Sequence, residues 1–448
     1  MGVGFNFVAF DRDQLLLMPP SLADWLPDDH LAWFMIEAVK QLDLSAFYGS
    51  YRDDGWGRAA HHPEMMVTLL LYAYSTDVVS SRRIEKACQS DVAFRVITAN
   101  VRPDHTTIAR FRRRHLTALK SLFVQSLRLC AEAGLVRVGL VALDGTKIAG
   151  AASIDSNRSR QFIEDMVDKM MAEAESADVA DDACGDDDVP PGVLRGRRAR
   201  QERFAAAKAV LDERDAAERA VQESRIRDRE ARNADEMART GNKLKGRWPA
   251  PFAPDPDARA NATDADTRVM KTKRGFLQGF NAQAAATKDQ IVVAAEVTND
   301  QSDVHQLEPV IAAVNEALEA AGVDDQIGVV IADAGYLSDA NLNAECGAEV
   351  LIATKNRRKV RPEDQRSPRG RIPKSATPRE RMDRKLATKR GQRLYRQRSA
   401  IIEPVFGQIK HNRGQRTFLL RGLDAVDTEW KLWCATHNLL KLFKTAGA

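Results

Sequence analysis

Two short apolar runs, each closing on an aspartate, constrain the fold of this chain more than any other feature of its 448 residues. Residues 136–144 read Val-Arg-Val-Gly-Leu-Val-Ala-Leu-Asp, and residues 327–335 read Ile-Gly-Val-Val-Ile-Ala-Asp-Ala-Gly. Runs this short and this apolar fit strands of a sheet covered on both faces. In such sheets ligands and chemistry gather at the carboxyl ends of the strands. Asp144 falls there, with Gly145-Thr146-Lys147 turning away, and Asp333 falls there in the second run. One aspartate at a strand end reads as a turn residue or a helix cap. Two at equivalent ends call for a shared role.

The rest of the pattern builds a mixed sheet around these runs. Residues 279–286 and 290–297 form an expected hairpin, with Thr287-Lys288-Asp289 as its turn. Over residues 303–321, Val304, Leu307, Val310, Ile311, Val314 and Leu318 recur at helical spacing, and Gly322 ends the helix. A short helix is expected near 337–346 and a strand at 348–354. This order predicts an α/β fold, a mixed sheet flanked by helices. A third acid follows near the C-terminus. Glu403 and Lys410 are seven residues apart, about 700° of helix, so they share a face, while Val405, Phe406 and Ile409 supply a side for burial. Three crowded carboxylates repel one another, and oxygen-preferring divalent cations relieve that repulsion. Such a set among cations suits work on a phosphodiester.

At this point the chain resembles a DDE transposase of a bacterial insertion sequence. The stretches that carry the resemblance are Leu143-Asp144-Gly145-Thr146-Lys147, Gln278-Gly279-Phe280-Asn281-Ala282-Gln283-Ala284, Ala332-Asp333-Ala334-Gly335-Tyr336, and residues 402–414 around Glu403. The resemblance implies a ribonuclease H-like catalytic domain. It also implies two divalent metal ions, magnesium or manganese, held by the catalytic carboxylates Asp144, Asp333 and Glu403. The family's helix signature places a Tyr, an Arg, the Glu and a Lys in order, with three residues between Arg and Glu. Here Tyr395, Arg398, Glu403 and Lys410 answer to it, but four residues separate Arg398 from Glu403. Arg396, seven residues before Glu403, competes for the arginine's role. Tyr395, Arg396, Arg398, Lys410 and Lys147 are the expected DNA contacts. The implied partners are DNA, as terminal inverted repeats and target, and a second copy of the chain, since two element ends must be joined. The alternatives are an inactive DNA-binding derivative and a nuclease of the same fold without strand transfer.

Other segments fill in the organisation. Residues 1–130 read as a helical N-terminal domain. Residues 64–77 form an apolar helix, Ser80 and Ser81 can cap the next, and Asp104 and Thr106 open a third carrying Arg110, Arg112, Arg113, Arg114 and His115. These basic helices fit either a helix-turn-helix-like DNA reader or a plain scaffold. The catalytic domain is expected to take residues 131–151 and 271–448. Between them, 152–270 is a charged insertion. It is helical over 157–174, too acidic to fold alone over 175–189, and a long exposed helix or helical hairpin over 195–240. From Lys355 to Arg398 there are 18 Lys or Arg against 4 Asp or Glu, so residues 355–394 read as an extended basic arm that would bind phosphates. Residues 426–445 make a closing helix packed on the catalytic one. The five cysteines are scattered, which suits reduced thiols in a cytoplasm, and Cys434 with His437 reads as core. The start, Met1-Gly2-Val3-Gly4-Phe5-Asn6, lacks a signal peptide's cationic region. With no membrane span and no Walker-type loop, neither a membrane nor a nucleotide cofactor is expected.

Overall fold

The computed structural model describes residues 21–51, 59–183, 191–354, 370, 372–373 and 375–446. Among these, everything before residue 133 is helical or irregular: α1 (Leu31–Lys40), α2 (Ser45–Tyr48), α3 (Pro63–Ser75), α4 (Ser81–Ser90), α5 (Val92–Ile97), α6 (His105–Arg114) and α7 (Leu116–Glu132). α3 starts on Pro63, whose missing N–H costs nothing in a first turn, and its residues from Met66 to Ser75 are buried. Asp104 caps α6 by accepting from the Thr106 and Thr107 amides, both at 2.9 Å. Ser80 precedes α4 but makes no side-chain cap bond. Arg112, counted above with the basic face, is buried instead: it donates to the Tyr74 hydroxyl (2.8 Å) and the Val79 carbonyl (3.0 Å).

β1 (Leu140–Ala149) begins later and runs further than the sequence suggested. The expected turn at Gly145-Thr146-Lys147 is strand. The reason is the long partner β5 (Gly275–Thr287), which pairs antiparallel with β1 from Val141 opposite Thr287 to Ala149 opposite Gly279. Asp144 is therefore mid-strand. Only on its other side, where β7 (Val329–Ala332) pairs parallel with Leu140–Ala142, does the sheet stop short of Asp144.

After β1 come β2 (Asn157–Ser159), α8 (Arg160–Ala183), α9 (Pro191–Thr240) and β3 (Arg259–Asn261), with β2 and β3 paired as a separate ribbon. α8 continues into the acidic stretch, where alanines at 172, 174, 177, 180 and 183 favour helix despite the charge. Residues 184–190, Cys184 included, lie outside the described residues. α9 is a single helix, and Ile163, Phe204, Ala207, Leu211 and Ala260 give the insertion a small core of its own.

The main sheet then gains β4 (Arg268–Thr272), which the sequence reading missed, followed by β5 and β6 (Val292–Thr298). β4 and β6 pair with successive parts of β5 on the side away from β1. α10 (Leu307–Ala320) leads to β7, the short α11 (Asp339–Leu342) and β8 (Glu349–Ile352). Across the sheet the order is β6-β5-β1-β7-β8, the first three antiparallel and the last three parallel.

The first part of the basic arm falls outside the described residues, but its second part is not extended. α12 (Pro378–Ala387) starts on a capping box between Thr377 and Glu380 and buries Met382 and Leu386, a spacing of four that anchors one face. α13 (Lys389–Gly407) follows, then a π-helical turn at Gln408–Asn412, so Lys410 lies beyond the regular helix that bears Glu403. α14 (Leu423–Ala446) closes the molecule. It packs on α7, β6 and α3 as well as on α13, where Trp430 stacks on Phe406 at 6.3 Å. Cys434 and His437 are buried on it. One continuous apolar core runs from α1 to α14. Among the described residues no helix is long and apolar enough to cross a membrane.

Candidate active site

The three acids converge on one cation. The Arg398 Nη2 atom lies 2.9 Å from Asp144 Oδ2 and 3.6 Å from Asp333 Oδ2, and Nη1 lies 4.0 Å from Glu403 Oε1. The four residues come from a mid-strand position, a strand end and two turns of α13. Asp333 stands directly after β7, where its carboxylate accepts from the Gly335 amide at 2.7 Å. Asp144 accepts from the Gly145 amide at 3.0 Å. Burial pushes the Asp144 carboxyl up to about 6 against the pull of Arg398, and Asp333 adds to the rise. Burial alone would depress the Arg398 guanidinium, but Asp144 and Asp333 hold it above its ordinary value.

Of the two arginines left open by the sequence, Arg398 reaches the acids and Arg396 is exposed on the helix. Tyr395 is half-buried against the core. Lys410 donates to Thr146 Oγ1 (2.9 Å) and to the Lys147 carbonyl (3.0 Å), on the Asp144 face of β1. Burial lowers its ammonium pKa, with Arg416 nearby adding to the effect. The proline in α13 is accommodated: Pro404 offers no N–H to the Ala400 carbonyl, and Gln290 Nε2 donates to it instead at 3.0 Å.

Lys147 does not join this group. Strand alternation turns it to the other face, where it pairs with Asp303 at 3.3 Å. Asp303 is a fourth acid that the sequence reading missed. Its Oδ1 also accepts from Asn281 (2.7 Å) and Gln283 (2.8 Å), and Gln283 in turn accepts from the Tyr336 hydroxyl. A Cβ at Gly145 would meet both Asp303 Oδ1 and Gln283 Nε2. Asp303 lies four residues before α10, where an aspartate reads as an ordinary cap. No sequence signal links it to Gly145.

Two family models match the chain: a transposase domain over residues 20–114 and a transposase DDE domain over residues 356–443. The second match supports a DNA-processing enzyme. Together the two matches support an insertion-sequence DDE transposase. The second match includes Tyr395, Arg398, Glu403 and Lys410, whereas Asp144 and Asp333 lie outside both. No curated protein and no solved structure matches the chain.

Among the described residues, no three Asp, Glu, His or Cys groups stand close enough to hold a metal ion as they are. The donor set nevertheless suits a divalent cation. It is made of carboxylate oxygens that already face one positive group, the donor chemistry such a cation takes.

Proposed function

We propose that Asp144, Asp333 and Glu403 are the catalytic carboxylates of a ribonuclease H-like core that cuts DNA at the terminal inverted repeats of its element and joins the freed ends to a target. The observation that carries this reading is the approach of one guanidinium to within 4.0 Å of all three carboxylates. The strand order, three antiparallel strands followed by two parallel ones, supports the core assignment. Asp144, Asp333 and Glu403 would hold two divalent ions, which when bound activate a water or a 3′-hydroxyl and stabilise the leaving oxygen. The chain's own cations do the rest. Arg398 exchanges its carboxylates for a phosphate, for which its fork is shaped. Lys410, on the Asp144 face of β1, neutralises the neighbouring phosphate. The half-buried Tyr395 borders the DNA end. The exposed Arg82, Arg83, Arg110 and Arg113 on α4 and α6 give the N-terminal helices a basic face for the duplex. Two chains act together because two ends are joined.

The test is cleavage of a labelled duplex carrying the element's terminal repeat, with magnesium, by the wild type and by Asp144→Ala, Asp333→Ala and Glu403→Ala. Cutting at the repeat boundary by the wild type alone is expected. Cutting that survives loss of any one acid would mean the triad is wrong.

A further inference from the structure

A second cationic site lies at the junction of the insertion and the main sheet. A cleft of ≈ 540 Å³ opens there, lined by Arg214 of α9, Arg259 of β3, Arg268 of β4, Asn157, Gln278 and the single acid Asp155. Among the described residues none of the three arginines has an ion-pair partner. Arg214 donates to the Arg259 carbonyl at 3.1 Å, and Arg268 donates to the Ala265 and Thr267 carbonyls. Asp266, Glu213 and Asp264 favour the charge on Arg268 without pairing with it, and Asp264 and Asp266 accept from the Gly422 and Leu423 amides. Burial lowers the Arg214 guanidinium, and burial together with Arg214 takes Arg268 down to about 10. Like charges brought together in a half-buried polar cleft repel, and an anion shared between them removes the repulsion.

The cleft is aligned with the acids. Gln278 and Ala284 stand on one face of β5, and Ala284 is the cross-strand partner of Asp144. Six residues of strand separate them, about 20 Å. Lys410, on Thr146, stands between the two, and the exposed Arg421 donates to the Ala151 carbonyl at 3.1 Å, at the level of the cleft. One strand of duplex DNA places a phosphate about every 3.4 Å, so about 20 Å corresponds to roughly six base pairs. From this we infer that the cleft of Arg214, Arg259 and Arg268 receives a backbone phosphate of the same DNA whose end lies at Asp144. The insertion is then a DNA clamp. This rests on the DNA-cutting reading above and assigns the insertion a part in it.

The test compares full-length wild type with Arg214→Gln/Arg268→Gln and with Arg259→Gln, an exposed side chain whose loss leaves packing intact. Arg227→Gln, exposed elsewhere on α9, is the control. Binding to the terminal-repeat duplex is measured from low to moderate salt, with thermal unfolding as a check on the fold. Weaker binding by both cleft variants is expected, with the salt slope reduced by about 1 for each phosphate no longer neutralised. Duplexes ending about three base pairs from the cut should bind wild type and cleft variants alike, since they stop short of the cleft. Unchanged slopes in both cleft variants, with wild type still binding and cutting, would overturn the clamp alone. Wild type that neither binds nor cuts would overturn the functional reading beneath it. Protection from thermal unfolding by inorganic phosphate that depends on the three arginines, without any change in DNA binding, would assign the cleft to a small anion and also overturn the proposal.

Discussion

Three carboxylates around one guanidinium repel one another less than they would alone, so removing that guanidinium changes what the site binds. In Arg398→Gln the acids lose the cation that competes for them. Unit charges about 4 Å apart interact by about 1 kcal/mol even at the dielectric constant of water, so manganese should bind the DNA-free variant at least roughly fivefold more tightly by calorimetry. On the proposed reading the same variant should also cut DNA ends more slowly, since that reading gives the guanidinium a phosphate to hold. Equal manganese affinity would show that the arginine and the ion do not share the site. Gly145 poses a different residue-level question. A Cβ there would collide with both Asp303 Oδ1 and Gln283 Nε2, which are bonded to each other. Gly145→Ala should lower stability by about 1–3 kcal/mol in urea denaturation, and an unchanged midpoint would mean that this network moves aside freely. Asp144, Asp333 and Glu403, which the fold brings around Arg398, could be singled out in the sequence because each is attached to an apolar run. Asp303 was not, because its neighbours depend on the register of Gly145 against Gln283 across a strand pair.

Elements were legible where their own periodicity set them and illegible where a distant partner did. The β5–β6 hairpin, α10, β7 and β8 carry local patterns. β1 outruns its apolar stretch because β5 pairs with it through Ala149, and the π turn after Gly407 leaves no mark in the order of residue types. β4 and the β2–β3 ribbon are too short and polar to announce themselves. α12 was masked by its charge, since only Met382 and Leu386 turn inward. The helix α13 illustrates how a far element repairs a local fault. Pro404 strips the Ala400 carbonyl of its helical donor, and Gln290 at the hairpin turn supplies one. Gln290→Ala should therefore cost about 1 kcal/mol. In that background Pro404→Ala, which restores the N–H, should recover more stability than it does in the wild type. A double-mutant cycle that closes within about 0.3 kcal/mol would rule out the coupling.

At the scale of the whole molecule, α14 ties the N-terminal helices to the sheet, and two buried titratable groups on it make stability depend on pH in opposite senses. Burial raises the Glu429 carboxyl to about 7 from an ordinary 4.5, although the Leu419 and Leu420 amides donate to it. The folded state keeps a proton that the unfolded chain releases, so this contribution is complete below pH 4.5 and is lost as pH rises toward 7. Burial lowers His437 to about 3 from 6.5, with Arg413 reinforcing the effect. Here the unfolded chain takes up the proton first, so stability is lost as pH falls from 6.5 toward 3. Each slope approaches about 1.4 kcal/mol per pH unit. Between pH 4.5 and 6.5 the two slopes cancel, and the pair contributes a plateau. Single substitutions break the cancellation. Relative to wild type, Glu429→Gln should gain stability as pH rises across that window, leaving the histidine limb exposed. His437→Gln, which keeps a donor for the Gln290 carbonyl, should lose stability over the same range. Urea midpoints at several pH values for the three proteins decide the matter. If Glu429→Gln runs parallel to wild type from pH 4.5 to 6.5, the carboxyl is ionised in the fold and its two backbone bonds outweigh its burial.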